Sequence, residues 1–401
     1  MKHARSFRQL VLTQFQTVFN DNLYKQTVLL LAITQQGESG NGQSIAQALF
    51  SLPFIAFAVV AGDCADRFPK RDVILWCKWA EVIVMLLAAA AFLNQSFGAI
   101  LAVVFLMGAQ SAFLGPAKYG SLPELTSGRE LPRANGVFQA TVLLGILFGT
   151  GTAGHLETDS LWQLGVFMAS LALIGSFVAK RMKRIPAASP NKKIHFDPFR
   201  RLYTGLRDAR TYPGLLPAIL GHAVFWFCGS LMLLAWNEFL ALQVDGVNAI
   251  ATSKGTWSLG LAGLSLFMAS GAVVAGLGLR AAIPRWMPML GAFGMAGGFL
   301  AAGLVHPNPW TLFFCIGGAS FFSGFYLIPL RSLMQTLPPR AGIGAVLGTG
   351  QMLDFLLIFL AAIGRPALRK AGVGPQELLL LLALVLVIAG LFLNRYLPKT
   401  T

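Results

Sequence analysis

Runs of about twenty apolar residues alternate with short polar breaks along the whole chain, as in VILWCKWAEVIVMLLAAAAFL (73–93) and LLLLLALVLVIAGLFL (378–393). These runs lack the two-residue alternation of a half-buried strand and are too long for a buried one. A bilayer core is crossed by about 20 such residues in a helix. In lipid, only helices and closed barrels satisfy their own backbone groups. The pattern therefore predicts an all-α membrane protein with twelve transmembrane helices, near 9–34, 43–64, 73–93, 97–117, 134–155, 160–180, 214–242, 256–279, 286–304, 309–330, 341–364 and 374–394.

The longest polar break, KRIPAASPNKKIHFDPFRRLYTGLRDARTYPG (183–214), divides these helices six and six. The expected organisation is an N-terminal six-helix half (1–182), a cytoplasmic linker (183–213) and a C-terminal six-helix half (214–401). Within the linker, Phe199, Leu202, Tyr203 and Leu206 follow an i, i+3, i+4, i+7 spacing, and Arg200, Arg201, Arg207 and Arg210 lie mostly on other faces. That suits a helix lying on the membrane surface. A plain basic linker that only enforces topology is the other reading.

Composition agrees with lipid burial: of 401 residues, 55% are hydrophobic and 12% charged, where a soluble domain has about a quarter charged. A net charge of +15 raises nucleic acid as a partner, but the placement of the bases answers it. All but Lys25, Lys254, Arg365, Arg369 and Lys370 fall at the termini or around alternate loops. By the positive-inside rule both termini and the 183–213 loop face the cytoplasm, and no nucleic-acid partner is implied. MKHARSFRQLVLTQF is basic, then apolar, without a small-residue cleavage site, so a retained first helix is expected. Cys64, Cys77, Cys228 and Cys315 are scattered without paired spacing, which argues against disulfides and zinc alike. No cofactor and no enzyme motif is found: the chain has no P-loop and no HxxxxD acyltransferase signature.

One break is unusually charged: GDCADRFPKR (62–71). An acid near a helix terminus can face the positive end of a neighbouring helix, and moderate ion pairs at a wet surface suit a latch that opens repeatedly. With two six-helix halves, this loop resembles the major facilitator superfamily of transporters, whose pattern G-x-x-x-D-R-x-G-R-[RK] here reads Gly62, Asp66, Arg67, Pro69, Lys70, Arg71. Pro69 stands where the family has glycine. The resemblance implies alternating access, with Gly62, Asp66, Arg67 and Arg71 as a gating loop; a solvated topogenic loop is the alternative. The matching loop of the second half, GLGLRAAIPR (276–285), keeps Arg280 and Arg285 but no acid.

A charge at the bilayer centre costs roughly 2.5–3.5 kcal/mol even on lenient scales, so each needs a reason. The first helix carries FNDNLYK, in which Asp21 and Lys25 are spaced to pair on one face; a self-neutralised pair and a substrate site both remain open. The fourth helix ends in FLGPAKYGSLPEL (113–125), where Gly115 and Pro116 loosen the helix and Lys118, Tyr119 and Glu124 follow. FNDN and PAKYGSLPEL together resemble the bacterial lysophospholipid transporter branch of the superfamily, with weaker support from ANG (134–136) and IPLRSLMQ (328–335).

That resemblance implies flipping of lysophospholipids from the outer to the inner leaflet of the inner membrane, where a separate acyltransferase and acyl-activating enzyme restore the missing chain. Such enzyme domains are also found fused to related membrane domains, and a chain running to Thr401 is expected to lack them. In the second half, WNEF brings Glu238, near an expected outer end, and GTGQMLDF brings Gln351 and the deeper Asp354. His222 stands alone among apolar residues and reads more readily as packing. The candidate translocation residues are Asp21, Asn22, Lys25, Lys118, Tyr119, Glu124, Glu238, Gln351 and Asp354. The other classes kept open are a proton-coupled multidrug or small-solute exporter, a membrane-embedded lipid enzyme and a channel.

Overall fold

A computed structural model describes residues 3–36, 42–153, 161–239, 243–244, 247–248, 254–278, 283–305 and 309–398. Among them the apolar runs form α1 (Ala4–Gln36), α2 (Gly42–Arg67), α3 (Lys70–Leu93), α4 (Phe97–Leu125), α5 (Leu131–Ala153) and α6 (Leu161–Lys180). The linker contains α7 (Pro198–Ala209). Then follow α8 (Leu215–Phe239), α9 (Lys254–Gly278), α10 (Trp286–Leu304), α11 (Pro309–Thr336), α12 (Ile343–Lys370) and α13 (Pro375–Tyr396). Two-residue strands β1 (Gln243–Val244) and β2 (Val247–Asn248) pair antiparallel, Gln243 opposite Asn248.

Ten helices among the described residues are long and apolar enough to cross a membrane. Of the other long helices, α1 carries the polar FNDNLYK, and the apolar part of α9 is the shorter Gly263–Gly278. Large apolar side chains stand outward on these helices, such as Trp76, Ile83 and Leu86 on α3 and Phe167, Ile174 and Phe177 on α6. In water such faces would be an aggregation hazard; in lipid they are the expected surface.

Two compact units form. The first holds Met1–Leu131, Gly145–Thr211 and Gln335–Leu356; the second holds Pro132–Leu144, Tyr212–Met334 and Leu357–Thr401. In the first, α3 packs along α6 and α2 along α4. Lipid tails are as apolar as leucine, so close backbone approach drives such contacts. At Gly165 of α6, an added Cβ would lie 2.5 Å from the Ala89 backbone of α3. Leu23, Tyr24, Met85, Met107 and Met168 fill the core between α1, α3, α4 and α6. In the second unit α13 packs on α10 and α8, and the buried Tyr326 hydroxyl donates to the Gly221 carbonyl at 3.0 Å.

The fourth helix differs from its predicted bounds: it runs through Pro116 and Pro123 to Leu125, so PAKYGSLPEL is helical and not a loop. A proline lacks the N–H that would bond the carbonyl four residues earlier. Two glutamines supply the missing donors in the first unit. Gln351 Nε2 donates to the Ala112 carbonyl, four before Pro116, at 2.9 Å, and Gln335 Nε2 donates to the Tyr119 carbonyl, four before Pro123, at 2.8 Å. Gln351 also lies directly against Gly115, where a Cβ would collide with its amide. The helix continues because its orphaned carbonyls are satisfied from outside.

Candidate functional site

In the first unit α1, α2, α4 and the start of α12 bring a polar cluster against an aromatic wall. Asp21 of α1 accepts a 2.8 Å hydrogen bond from the Ser111 hydroxyl of α4, which also lies 3.0 Å from Gln110 Oε1. The other Asp21 oxygen is buried with no hydrogen-bond partner. Gln351 reaches α4 at Ala112, the residue after Ser111. Asp354, one turn beyond Gln351 on α12, is buried. The Lys118 ammonium stands 5.6 Å from the centre of the Tyr119 ring.

Lys25 does not pair with Asp21: no ion pair joins them among the described residues. Its ammonium sits 5.3 Å from the centre of the Phe50 ring, a cation–π placement. Phe50 packs on Phe54, and Phe54 stacks on Phe355 of α12 with centroids 3.6 Å apart and planes at 10°. Lys25 thus borders a continuous aromatic surface, and one turn earlier on the same helix Asp21 joins the hydroxyl of Ser111, the polarity pattern of an amphiphile.

The remaining candidates are elsewhere. Asn22 bonds back to the Val18 carbonyl of its own helix at 2.8 Å. Glu124, at the end of α4, pairs with the buried Lys70 at 2.7 Å and belongs to the loop side of the unit. Glu238 of α8 lies in the second unit, where the buried Arg365 grips both its oxygens and donates to the Val373 carbonyl at 2.9 Å. His222 is fully buried beside Trp226. The ANG and IPLRSLMQ segments meet through Asn135 and Ser332, 3.0 Å apart. Arg280 lies outside the described residues.

The charged loop is a network. Asp66 accepts from the backbone N–H groups of Gly344 and Ala345, at 2.7 and 3.0 Å, so it sits at the N-terminal end of α12 where the helix dipole favours an anion. Gly62 makes this possible, since its α-carbon lies close against Gly348. Arg71 bridges Asp72 (2.9 Å) and the Lys180 carbonyl (2.6 Å). Arg67 lies over its neighbour Phe68 at 5.7 Å. Pro69, in the glycine position, caps α3 with its carbonyl, which accepts from Asp72 N–H at 2.8 Å.

A second buried constellation escaped the sequence reading, which grouped Lys78 with the loop bases. Lys78 and Glu81, three residues apart on α3, are both fully buried and paired at 2.6 Å. Around them α1 supplies Thr17, 3.0 Å from the ammonium, and Gln16 and Asn20, donating to Glu81 at 3.0 and 3.1 Å. Asn20 also donates to the Met168 carbonyl of α6 at 2.9 Å. The signal was present in WCKWAEV: two opposite charges at helical spacing inside a span. Among the described residues no group of His, Cys, Asp and Glu is arranged to hold a metal.

Replacing Gln351 by Leu strands the Ala112 carbonyl, an unsatisfied buried acceptor costing roughly 1–3 kcal/mol. The expected outcome is a lower thermal midpoint of the detergent-solubilised protein, while Gln351→Glu, which keeps the length and loses the donor, fails to restore it.

The sequence matches the Major Facilitator Superfamily over residues 10–362. It is 27% identical over 354 residues to the lysophospholipid transporter LplT of Cronobacter sakazakii, covering 84% of this chain and 82% of that protein. It is 27% identical over 399 residues to LplT of Photorhabdus laumondii, covering 94% of each. The fold is similar to the human organic anion transporter MFSD10, with a TM-score of 0.79 at 15% identity over 96% of this chain and 99% of that one. It is also similar to the proton:xylose symporter XylE, with a TM-score of 0.76 at 13% identity over 98% and 96%.

Proposed function

The chain belongs to the major facilitator superfamily, and on that premise we propose that it is a lysophospholipid transporter. Twelve spans with both termini in the cytoplasm carry the lipid from the outer to the inner leaflet of the inner membrane by alternating access. A separate enzyme there can restore the second acyl chain. The observation that carries this reading is the amphiphilic cluster of the first unit: Lys25 lies on the Phe50, Phe54 and Phe355 surface, and Asp21 one turn earlier on the same helix is held by Ser111. A lysophospholipid has the same division, with a charged head and one apolar tail. Asp21 would take an ammonium, Lys25 a phosphate, and the aromatic surface the first part of the tail. Matching names among the relatives add weight to the substrate class.

The gating loop fits the same reading. Asp66 holds the start of α12 through two N–H groups, contacts of a buried carboxylate paired with Lys192 that would have to part each time the cytoplasmic side opens. Opening them would release α12 together with the Gln351 bond to α4, letting the cytoplasmic side part.

The test is uptake of labelled lysophosphatidylethanolamine by vesicles whose own transporter is absent. Protein-dependent accumulation, competed by other lysophospholipids and not by two-chain lipids, is the expected result. Absence of uptake from well-inserted protein would overturn the proposal, and a chemically altered lipid would make the protein an enzyme.

A further inference from the structure

The linker has two faces with different tasks. Its inner face is spent on the two buried acids of the gating loop. Lys192 lies 3.1 Å from Asp63 and 2.6 Å from Asp66, His195 Nδ1 3.1 Å from Asp63, and Arg201 Nη2 3.2 Å from Asp63. The Ser189 N–H donates to the Asp66 carbonyl at 2.9 Å. Gly205 of α7 faces Thr349 of α12 so closely that a Cβ would come 2.5 Å from its hydroxyl. The helix is thereby held at the ends of α2 and α12.

On its outer face the ion pair among the described residues is the exposed one of Arg207 with its neighbour Asp208, at 3.5 Å. Phe196, Phe199 and Tyr203 are 80%, 62% and 68% exposed, and Arg200, Arg207 and Arg210 are exposed beside them. Residues 196, 199, 203, 207 and 210 follow one stripe at helical spacing. The first of these precede the helix or open it, behind the Asp197 cap that accepts from the Arg200 N–H. Three aromatic side chains in water, next to three arginines, at the end of membrane-spanning helices, call for a surface that is apolar just below an anionic plane. We infer that α7 is a peripheral membrane anchor that lies on the cytoplasmic leaflet and selects anionic lipid, so that the same lipid holds the linker arm on Asp63 and Asp66. Aromatic rings suit the interface. Each basic residue near an anionic surface strengthens binding by about 1 kcal/mol, roughly fivefold. The inference holds whether or not the transported substrate is a lysophospholipid.

The test uses the full chain in nanodiscs, in a background lacking the four native cysteines, with spin labels at Phe199→Cys and Tyr203→Cys and a control at Asp208→Cys. In discs containing phosphatidylglycerol, labels at 199 and 203 should be accessible to oxygen and shielded from an aqueous nickel chelate, and the label at 208 should be aqueous. In pure phosphatidylcholine the shielding should fall several-fold. Arg200→Gln, Arg207→Gln and Arg210→Gln combined should abolish the difference between the two lipids, without touching the contacts to Asp63. Labels that stay aqueous in every lipid would overturn the anchor and point to a protein partner. Equal insertion in both lipids would overturn the anionic selectivity. Transport is not needed for either reading, so failure here is distinguishable from failure of the proposed function.

Discussion

Lys78→Met should be among the most destabilising single substitutions in the first unit. Removing the ammonium leaves the Glu81 carboxylate fully buried, held only by Gln16, Thr17 and Asn20. Breaking a buried ion pair by deleting one partner costs roughly 3–5 kcal/mol, because the survivor keeps its desolvation penalty and loses its counter-charge. That corresponds to a fall in thermal midpoint on the order of 10 °C. Thermal melting of detergent-solubilised protein, followed by size-exclusion fluorescence, reads it directly. The double variant Lys78→Met with Glu81→Leu should recover most of the loss, since replacing both ions removes the unpaired charge. A single variant as stable as the parent would show that Glu81 picks up a proton at little cost and that the pair does not organise α1 against α3. Transport in the recovered double variant then asks a second question: near-native uptake makes the pair purely structural.

Asp21→Asn should leave the fold intact and cut transport sharply. Asparagine can still accept from Ser111 through its amide oxygen, so the α1–α4 contact survives. What disappears is the negative charge that would meet a head-group ammonium. A hydrogen bond to a charged group contributes about 1.5–3 kcal/mol, so uptake of lysophosphatidylethanolamine should drop roughly tenfold to a hundredfold. Lys25 rests on Phe50 and Asp21 on Ser111, so the two replacements should leave different head-group signatures. Lys25→Met should weaken binding of every phosphate head, whereas Asp21→Asn should weaken amine-bearing heads most. Initial rates with ethanolamine and glycerol head groups separate the two. Native rates in Asp21→Asn would remove the carboxylate from the site and leave Lys25 as the charged anchor beside the aromatic wall.

The apolar runs, the polar breaks and the spacing within the linker were enough to read an all-helical membrane chain and the amphipathic helix α7, because each is local. A run of twenty apolar residues has few ways to satisfy its backbone in lipid, and helical spacing along 199–206 is visible without a partner. What joins distant segments was not legible. A span surrounded by lipid carries little polar contrast between its faces, so the pattern does not say which side meets which helix. Asp21 and Lys25 have pairing spacing, yet packing sends one to Ser111 and the other to Phe50. Lys78 and Glu81 lie inside the predicted 73–93 span, but only the tertiary fold shows that α1, some sixty residues earlier, closes over them. Pro116 and Pro123 read as the end of a helix, and only the tertiary fold could supply Gln351 and Gln335, more than two hundred residues away, to the carbonyls they orphan. Local spacing determined the elements; which buried charge or carbonyl is satisfied, and by what, depended on helices meeting across the chain.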